Sequence, residues 1–278
     1  MKRRLGFWKG TLLLVAMLLV AAVVGLWPYR HALFVAPQSL AQVAEQLEPY
    51  YQLFTPSGEG PFPAVAVFHG CAGPEPGLSL SRATWLNQQG YVALLVDSYS
   101  GRGLRADEVC SGHRLWGNQR VNDVHAALAY LRTRPQVDPQ RMALMGYSHG
   151  GWTVLDALAY GDKRPMGALE PQPDGLLGVK AVVAYYPYCE FPAHFATGWQ
   201  VSVPVLGLLA GQDSVVDVQA CLSLFDRQQV GGAALEYELY PAADHVFDGE
   251  GSQSRYDPLV AEQALARVAQ FLARHFQQ

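Results

Sequence analysis

Charge is scarce in this chain. Of its 278 residues, 16% are Asp, Glu, Lys or Arg, against roughly 25% in an average soluble protein. No acidic residue precedes Glu45, and no charge of either sign occurs from Gly10 to Tyr29. A chain so poor in charge and 50% hydrophobic is not a disordered or solvated tail protein. It has no cluster of Lys and Arg to neutralise phosphates, so nucleic acid is excluded as an expected partner. No internal repeat period is visible. Gly (27) and Pro (18) are too ordinary in number for a low-complexity or collagen-like chain. The length is ordinary for a single α/β domain with one large core.

The uncharged stretch has a meaning of its own. Lys2, Arg3, Arg4 and Lys9 precede it, and it runs for 20 residues. As a helix at about 1.5 Å per residue it spans roughly 30 Å, the thickness of a bilayer's hydrocarbon core. Trp27 and Tyr29 stand where interfacial aromatics belong. Residues 1–30 are therefore expected to be a retained signal anchor, 31–47 a linker, and 48–278 the catalytic domain. A cleaved signal peptide is the alternative, with Val23-Val24-Gly25 as its only passable cleavage site. In either case the positive flank stays inside and the bulk of the chain lies outside the cytoplasm, periplasmic or extracellular.

Beyond the anchor, short apolar runs alternate with helical patterns. The runs are Ala64–Phe68, Tyr91–Val96, Met142–Met145, Val179–Tyr186, Val205–Ala210 and Leu235–Tyr240. Apart from Leu235–Tyr240, which carries Glu236 and Glu238, they are apolar on both faces, as strands of a parallel sheet covered on both sides must be. Val121, Val124, Leu128 and Leu131 recur at helical spacing. Asp257-Pro258 is a cap followed by a first-turn proline, and it opens a last helix with a stripe of Leu265, Val268, Leu272 and Phe276. The alternation predicts a doubly wound, mostly parallel α/β sheet with helices on both faces. Ser98–Gly117 and Gly161–Gly178 read as long loops, the kind that build or cover a site.

One turn carries chemistry. Gly146-Tyr147-Ser148-His149-Gly150 is G-x-S-x-G, between a strand ending at Met145 and a helix over Trp152–Tyr160. The turn strains the serine backbone, and close packing leaves no room for a Cβ on either glycine. Its hydroxyl then faces a helix N-terminus, where N–H groups favour developing negative charge. A serine hydroxyl needs a base, and the base needs an orienting acid. The order along the chain that goes with such a turn is Ser, acid, His. Asp213 lies just past the strand Val205–Ala210, and His245 lies in the loop after Leu235–Tyr240. Both are at the carboxyl ends of strands, where sites of open α/β sheets form. Asp217 and Asp244 are the rival acids; the first reads as a helix cap, and the second is too near His245 in sequence to hold its far ring nitrogen. His69-Gly70-Cys71-Ala72-Gly73 follows the first parallel strand. The backbone N–H of Cys71 (or Ala72) and that of His149 are the expected oxyanion donors. Arg102, His113 and Trp116 are candidates for substrate contact.

With these residues the chain resembles the dienelactone hydrolase family of α/β-hydrolases, from about Tyr50 to the C-terminus. The resemblance rests on the His69–Gly73 turn, Val96–Gly103, Val109-Cys110 and the Gly146–Gly151 elbow. It continues through Tyr185–Cys189, Gly211-Gln212-Asp213 and Asp244–Asp248. It implies an α/β-hydrolase fold and an esterase or lactone hydrolase, with nucleophile, acid and base at Ser148, Asp213 and His245. The name-giving enzymes use a cysteine nucleophile, where this chain has Ser148, which points to a serine carboxylesterase-like member.

Four cysteines, Cys71, Cys110, Cys189 and Cys221, follow the anchor, and in an oxidising compartment an even count reads as disulfides. Three pairings are possible. The loop positions in the expected fold favour 71–110 and 189–221. The rival is a zinc set of His69, Cys71, Cys110 and His113. The leading expectation is hydrolysis of a small-molecule ester or lactone through an acyl-enzyme, without cofactor or metal. Acyl transfer or peptidase action by the same triad is an alternative, and a membrane-tethered binding or metal-holding domain is another.

Overall fold

The computed structural model describes residues 2–160, 175–199, 202–252 and 254–277. Helix α1 (Lys2–Leu26) leads through a 3-10 turn, Trp27–Tyr29, into the short α2 (Arg30–Leu33). Thr11–Leu33 is long and apolar enough to cross a membrane. The stretch expected as a linker is not a bare tether. Residues Leu40–Leu47 form α3, capped by Ser39 and Gln42 in reciprocal hydrogen bonds. Val43 and Leu47 of α3 are fully buried against Ala126, so this helix belongs to the folded domain.

The domain continues as β1 (Gln52–Phe54), β2 (Phe62–Phe68), α4 (Pro76–Gln88), β3 (Val92–Val96), α5 (Ala106–Cys110), α6 (Gly117–Arg132) and β4 (Val137–Tyr147). Then come α7 (His149–Tyr160), β5 (Val179–Tyr185), β6 (Val205–Ala210), α8 (Val218–Val230), β7 (Leu235–Tyr240) and α9 (Pro258–Phe276). The seven strands make one sheet in the order β1-β3-β2-β4-β5-β6-β7. All pairs are parallel except β1 with β3. Each run of apolar residues divides between two cores, because successive side chains point to opposite faces. Ala64, Ala66 and Phe68 face α6, α7 and α8, while Val65 and Val67 face α4 and α9.

Two expectations need correction. Ser98–Gly117 is not an open loop, since it contains a 3-10 turn (Ser100–Arg102) and α5. The buried stripe of α9 is Ala261, Ala264, Val268, Phe271, Leu272 and Phe276. Leu265 is only half-buried, and fully burying Phe271 in its place is worth about 1.5–3 kcal/mol. Most of the other long loop, residues 161–174, lies outside the described residues.

Strand order reverses at β2, which sends the chain first to β3 on one side and later to β4 on the other. A crevice opens at such a switch point, outside the carboxyl ends of the two strands. The turn after β2 and the turn after β4 therefore face each other across it.

Candidate active site

Strand β4 ends at Tyr147, and α7 begins at His149, so Ser148 alone makes the turn. Its φ is +52°, a left-handed backbone that a side-chain-bearing residue adopts only where the surroundings enforce it. The two glycines do the enforcing. A Cβ on Gly146 would lie 2.2 Å from the Gly150 oxygen, and one on Gly150 would lie 2.2 Å from the Phe68 oxygen. The turn is thus pressed onto itself and onto the end of β2. The Ser148 N–H donates to the Tyr185 oxygen at 2.9 Å, and the Trp152 N–H to the Ser148 oxygen at 2.9 Å. The hydroxyl is left at the mouth of α7.

His245 and Asp213 reach it from beyond the ends of β7 and β6. The Asp213 Oδ1 accepts from the N–H groups of Val215 and Val216, both at 2.9 Å. Its Oδ2 lies 2.7 Å from His245 Nδ1, and His245 Nε2 lies 2.9 Å from Ser148 Oγ. Because a carboxylate only accepts, Nδ1 carries the proton and Nε2 is free to accept from the serine. The two rival acids are engaged elsewhere. Asp217 caps α8 through the Gln219 N–H at 2.9 Å. Asp244 accepts from the Ser214 N–H and hydroxyl at 2.7 and 3.0 Å and from the His245 N–H at 2.7 Å. Behind the imidazole, the Tyr186 ring stands 4.7 Å from it. Tyr186 donates to Asp248 Oδ1 at 2.6 Å, and Asp248 Oδ2 in turn takes Arg82 Nη2 of α4 at 2.8 Å.

The turn after β2 closes the other side. A Cβ on Gly70 would lie 3.6 Å from that of Ser148, so this turn runs directly beside the serine. The Tyr99 hydroxyl donates to the Cys71 oxygen at 2.9 Å, which turns the N–H on the opposite side of that peptide, that of Ala72, away from Tyr99. The His149 N–H is the first of α7 and has no acceptor within the helix. His69 is built in: Nδ1 bonds the Gly70 oxygen at 2.7 Å, and Nε2 accepts from the Ser98 N–H at 3.2 Å. Burial and the Arg120 cation hold the His69 imidazole well below its ordinary value. The same causes push His149 down to about 3, so both rings are neutral where hydrolases work.

The dienelactone hydrolase family model matches residues 51–276. The chain belongs to that family. A putative carboxymethylenebutenolidase of Synechocystis sp. is 25% identical over 66% of this chain and 74% of its own length. Dipeptidyl-peptidase 5 of Porphyromonas gingivalis is 23% identical over 57% of this chain, which spans 26% of that protein's length. The crystal structure of a putative dienelactone hydrolase from Klebsiella pneumoniae shares the fold. Its TM-score is 0.66 at 20% identity, and the match covers 80% of this chain and 92% of that one.

In this dienelactone hydrolase-family chain, Ser148 borders two cavities. One, of about 320 Å³, runs between the His69–Pro76 segment, Tyr186 and Val246. The other, of about 390 Å³, lies beyond Cys71 and His149 and is lined by Trp116 among others. Arg102, expected at the substrate, does not reach either. Its guanidinium is clamped on Asp123 at 2.6 and 2.9 Å and on the Ser98 oxygen at 3.0 Å, because a cation this deep in the fold must be paired. His113 bonds the Ser111 hydroxyl and sets its ring edge-on to Tyr29, outside both linings. The zinc set is ruled out by bonding: Cys71 joins Cys110 and Cys189 joins Cys221 in disulfides.

Several contributors lay beyond the sequence reading. Arg120 and Asp123 are fully buried on α6. Their signal was a pair of charges bordering the apolar stripe of Val121 and Val124, where an ordinary amphipathic helix carries solvent-facing groups. Tyr186 and Asp248 lie in segments that carry the resemblance, but nothing in the sequence joins them to each other or to Arg82, since the three are spread over three elements.

Proposed function

We propose that this chain is a serine hydrolase that cleaves a carboxylic ester or lactone through an acyl-enzyme. The observation that carries the reading is the continuous line Asp213–His245–Ser148, with separations of 2.7 and 2.9 Å. Ser148 Oγ attacks the carbonyl carbon while His245 Nε2 takes the hydroxyl proton. The negative charge on the former carbonyl oxygen falls toward the N–H groups of Cys71 and His149. The C–O bond to the leaving alcohol breaks, and that alcohol takes the proton from His245. Water then repeats the sequence on the acyl-serine, releasing the acid and restoring Ser148. Asp213 keeps the imidazole in the required tautomer throughout. The family's ester and lactone chemistry and the carboxymethylenebutenolidase likeness support the same class.

The protein is further proposed to be held in a membrane by its first 30 residues, with the hydrolase domain outside the cytoplasm. The apolar helix, its basic flank and the two disulfides support this. The deciding experiment is labelling with a fluorophosphonate probe and mapping of the labelled peptide. Label on Ser148, lost in Ser148→Ala, is the expected result; an unlabelled but folded protein would overturn the reading. Membrane-fraction protein that resists salt and alkali tests the anchor, and a mature N-terminus near Leu26 would show cleavage instead.

A further inference from the structure

The larger of the two cavities is walled in part by residues that the hydrolytic steps do not use. Tyr29, from the turn that ends the apolar N-terminal helix, lines it together with Trp116, Trp152, Tyr188, Phe191 and Val215. Among the described residues, no Asp, Glu, Lys or Arg lines it, whereas the other cavity includes Glu75, Arg82 and Asp97. The wall on this side of Ser148 is therefore uncharged.

The foot of the helix is fastened to this wall. Ala32 is fully buried, and its carbonyl oxygen accepts from Gln119 Nε2 of α6. The Tyr29 ring packs edge-on to His113 at 5.1 Å. Among the lining residues of the cavity, Phe191 is 86% exposed and Val215 53% exposed. Large apolar side chains grouped at the rim of a cavity mark a surface that meets something apolar. Here the same rim carries the end of a helix long enough to span a bilayer, and its aromatic foot is of the kind that settles at the interface.

We propose that this cavity takes the apolar chain of an ester dissolved in the membrane, with the foot of the N-terminal helix as one of its walls. Substrate enters sideways from the bilayer, and the rest of the ester lies in the cavity on the other side of Ser148. The inference rests on the serine-hydrolase and anchor readings above. Each methylene buried in such a cavity is worth about fourfold in affinity, so preference must climb with chain length.

The test uses the full-length protein in phosphatidylcholine vesicles with acetyl, octanoyl and palmitoyl p-nitrophenyl esters. The octanoyl-to-acetyl ratio of kcat/KM is expected to exceed about tenfold, a small part of the roughly 10³-fold that burying all six extra methylenes would give. It should fall at least about fivefold in Tyr29→Ser and in Phe191→Ser, with Val215→Asp as a second rim variant. Palmitoyl ester in the enzyme's own vesicles should react at least about tenfold faster than the same ester in separate vesicles. A flat chain-length series, a ratio unmoved by the variants, or equal rates from both vesicle populations would overturn the inference while leaving acetyl-ester turnover and probe labelling in place. No turnover of any ester together with no label at Ser148 would sink the hydrolase reading itself.

Discussion

The Arg120 guanidinium donates to the main-chain oxygen of His69 at 2.7 Å. This one bond ties the first turn of α6 to the turn that runs beside Ser148. Arg120 also donates to the Ser98 hydroxyl at 2.7 Å and lies 4.0 Å from Asp123, with no exposure to solvent. It is a positioning residue: its charge is spent on holding two loop ends together beneath the site.

Replacing Arg120 by Met should therefore cost about 3–5 kcal/mol of stability, the range for removing one partner of a buried ionic cluster. Asp123 keeps Arg102, so the lower part of the range is expected. Arg120→Lys preserves the charge but not the fork that reaches His69 and Ser98 together, and should recover only part of both stability and kcat. Urea unfolding and ester kinetics on the two variants decide it. A role confined to packing would leave Met and Lys equal in kcat.

Acid should unfold this domain early. Burial and the Arg132 cation push His125 down to about 4, His149 is pushed down to about 3, and His69 is held well below its ordinary value. Above the unfolded-state value near 6.5 all three are neutral in both states. As pH falls below that, the unfolded chain takes up protons that the folded one refuses, so stability is lost. Asp156 acts in the opposite sense. Burial pushes it up to about 7, so the folded chain holds a proton there down to the ordinary carboxylate range. Three refused protons against one retained make stability fall as pH drops from about 6 toward 4.5, on the order of 3 kcal/mol per pH unit, and His275, also held below its ordinary value by burial, adds to the loss. Denaturation midpoints at neutral and mildly acidic pH would show this slope; a flat profile would contradict it.

The parallel strands inside the sheet were legible because a strand buried on both faces has no choice but a continuous apolar run; the edge strand β7, with Glu236 and Glu238, alternates instead. Strand β1 was not, since three residues at a sheet edge, Gln52–Phe54, carry no pattern. Helix α3 did carry one, with Leu40, Val43 and Leu47 at helical spacing behind Ser39, but it fell in a stretch expected to be a tether. Helix α4 hides a buried Arg82 among weakly patterned residues. In the candidate site, Ser148, Asp213 and His245 could be picked out because each sits beside a turn signal at a strand end. Arg102 was misjudged because a cation in a loop does not announce its partner, and Asp123 stands 21 residues away.

The elbow gives a steric prediction. Gly150→Ala would drive a methyl group into the main-chain oxygens of Phe68 and His69, at 2.2 and 2.8 Å. Neither atom can move without shifting β2 or the turn beside Ser148. A loss at the upper end of the overpacking range, about 3 kcal/mol, is expected, together with a fall in kcat. Gly77→Ala is the control. Its Cβ would meet only the Glu75 carboxylate at 3.5 Å, and alanine in place of a helical glycine should stabilise by up to about 1 kcal/mol. Equal effects at the two sites would remove the steric explanation.

The two disulfides separate stability from catalysis. Cys71–Cys110 closes a separation of 39 residues and Cys189–Cys221 one of 32. The chain-entropy model assigns both about 4 kcal/mol, because the cost varies only with the logarithm of loop length. Replacing either pair by alanine should thus lower the unfolding free energy by a similar amount. Their surroundings differ. Cys71 belongs to the turn beside Ser148 and is an expected oxyanion donor through its N–H, whereas Cys221 lies in the buried face of α8. Loss of one oxyanion donor typically costs about 10²–10³ in kcat, and a donor left in place but loosened should lose part of that. The Cys71→Ala/Cys110→Ala protein is expected to lose about tenfold or more in kcat at a temperature where it is fully folded. The Cys189→Ala/Cys221→Ala protein should stay within about twofold of wild type, since no new contact to the reacting atoms is lost. Parallel kinetics and thermal unfolding on the two variants test this directly: equal kcat values would mean that the first bridge holds the fold but not the turn.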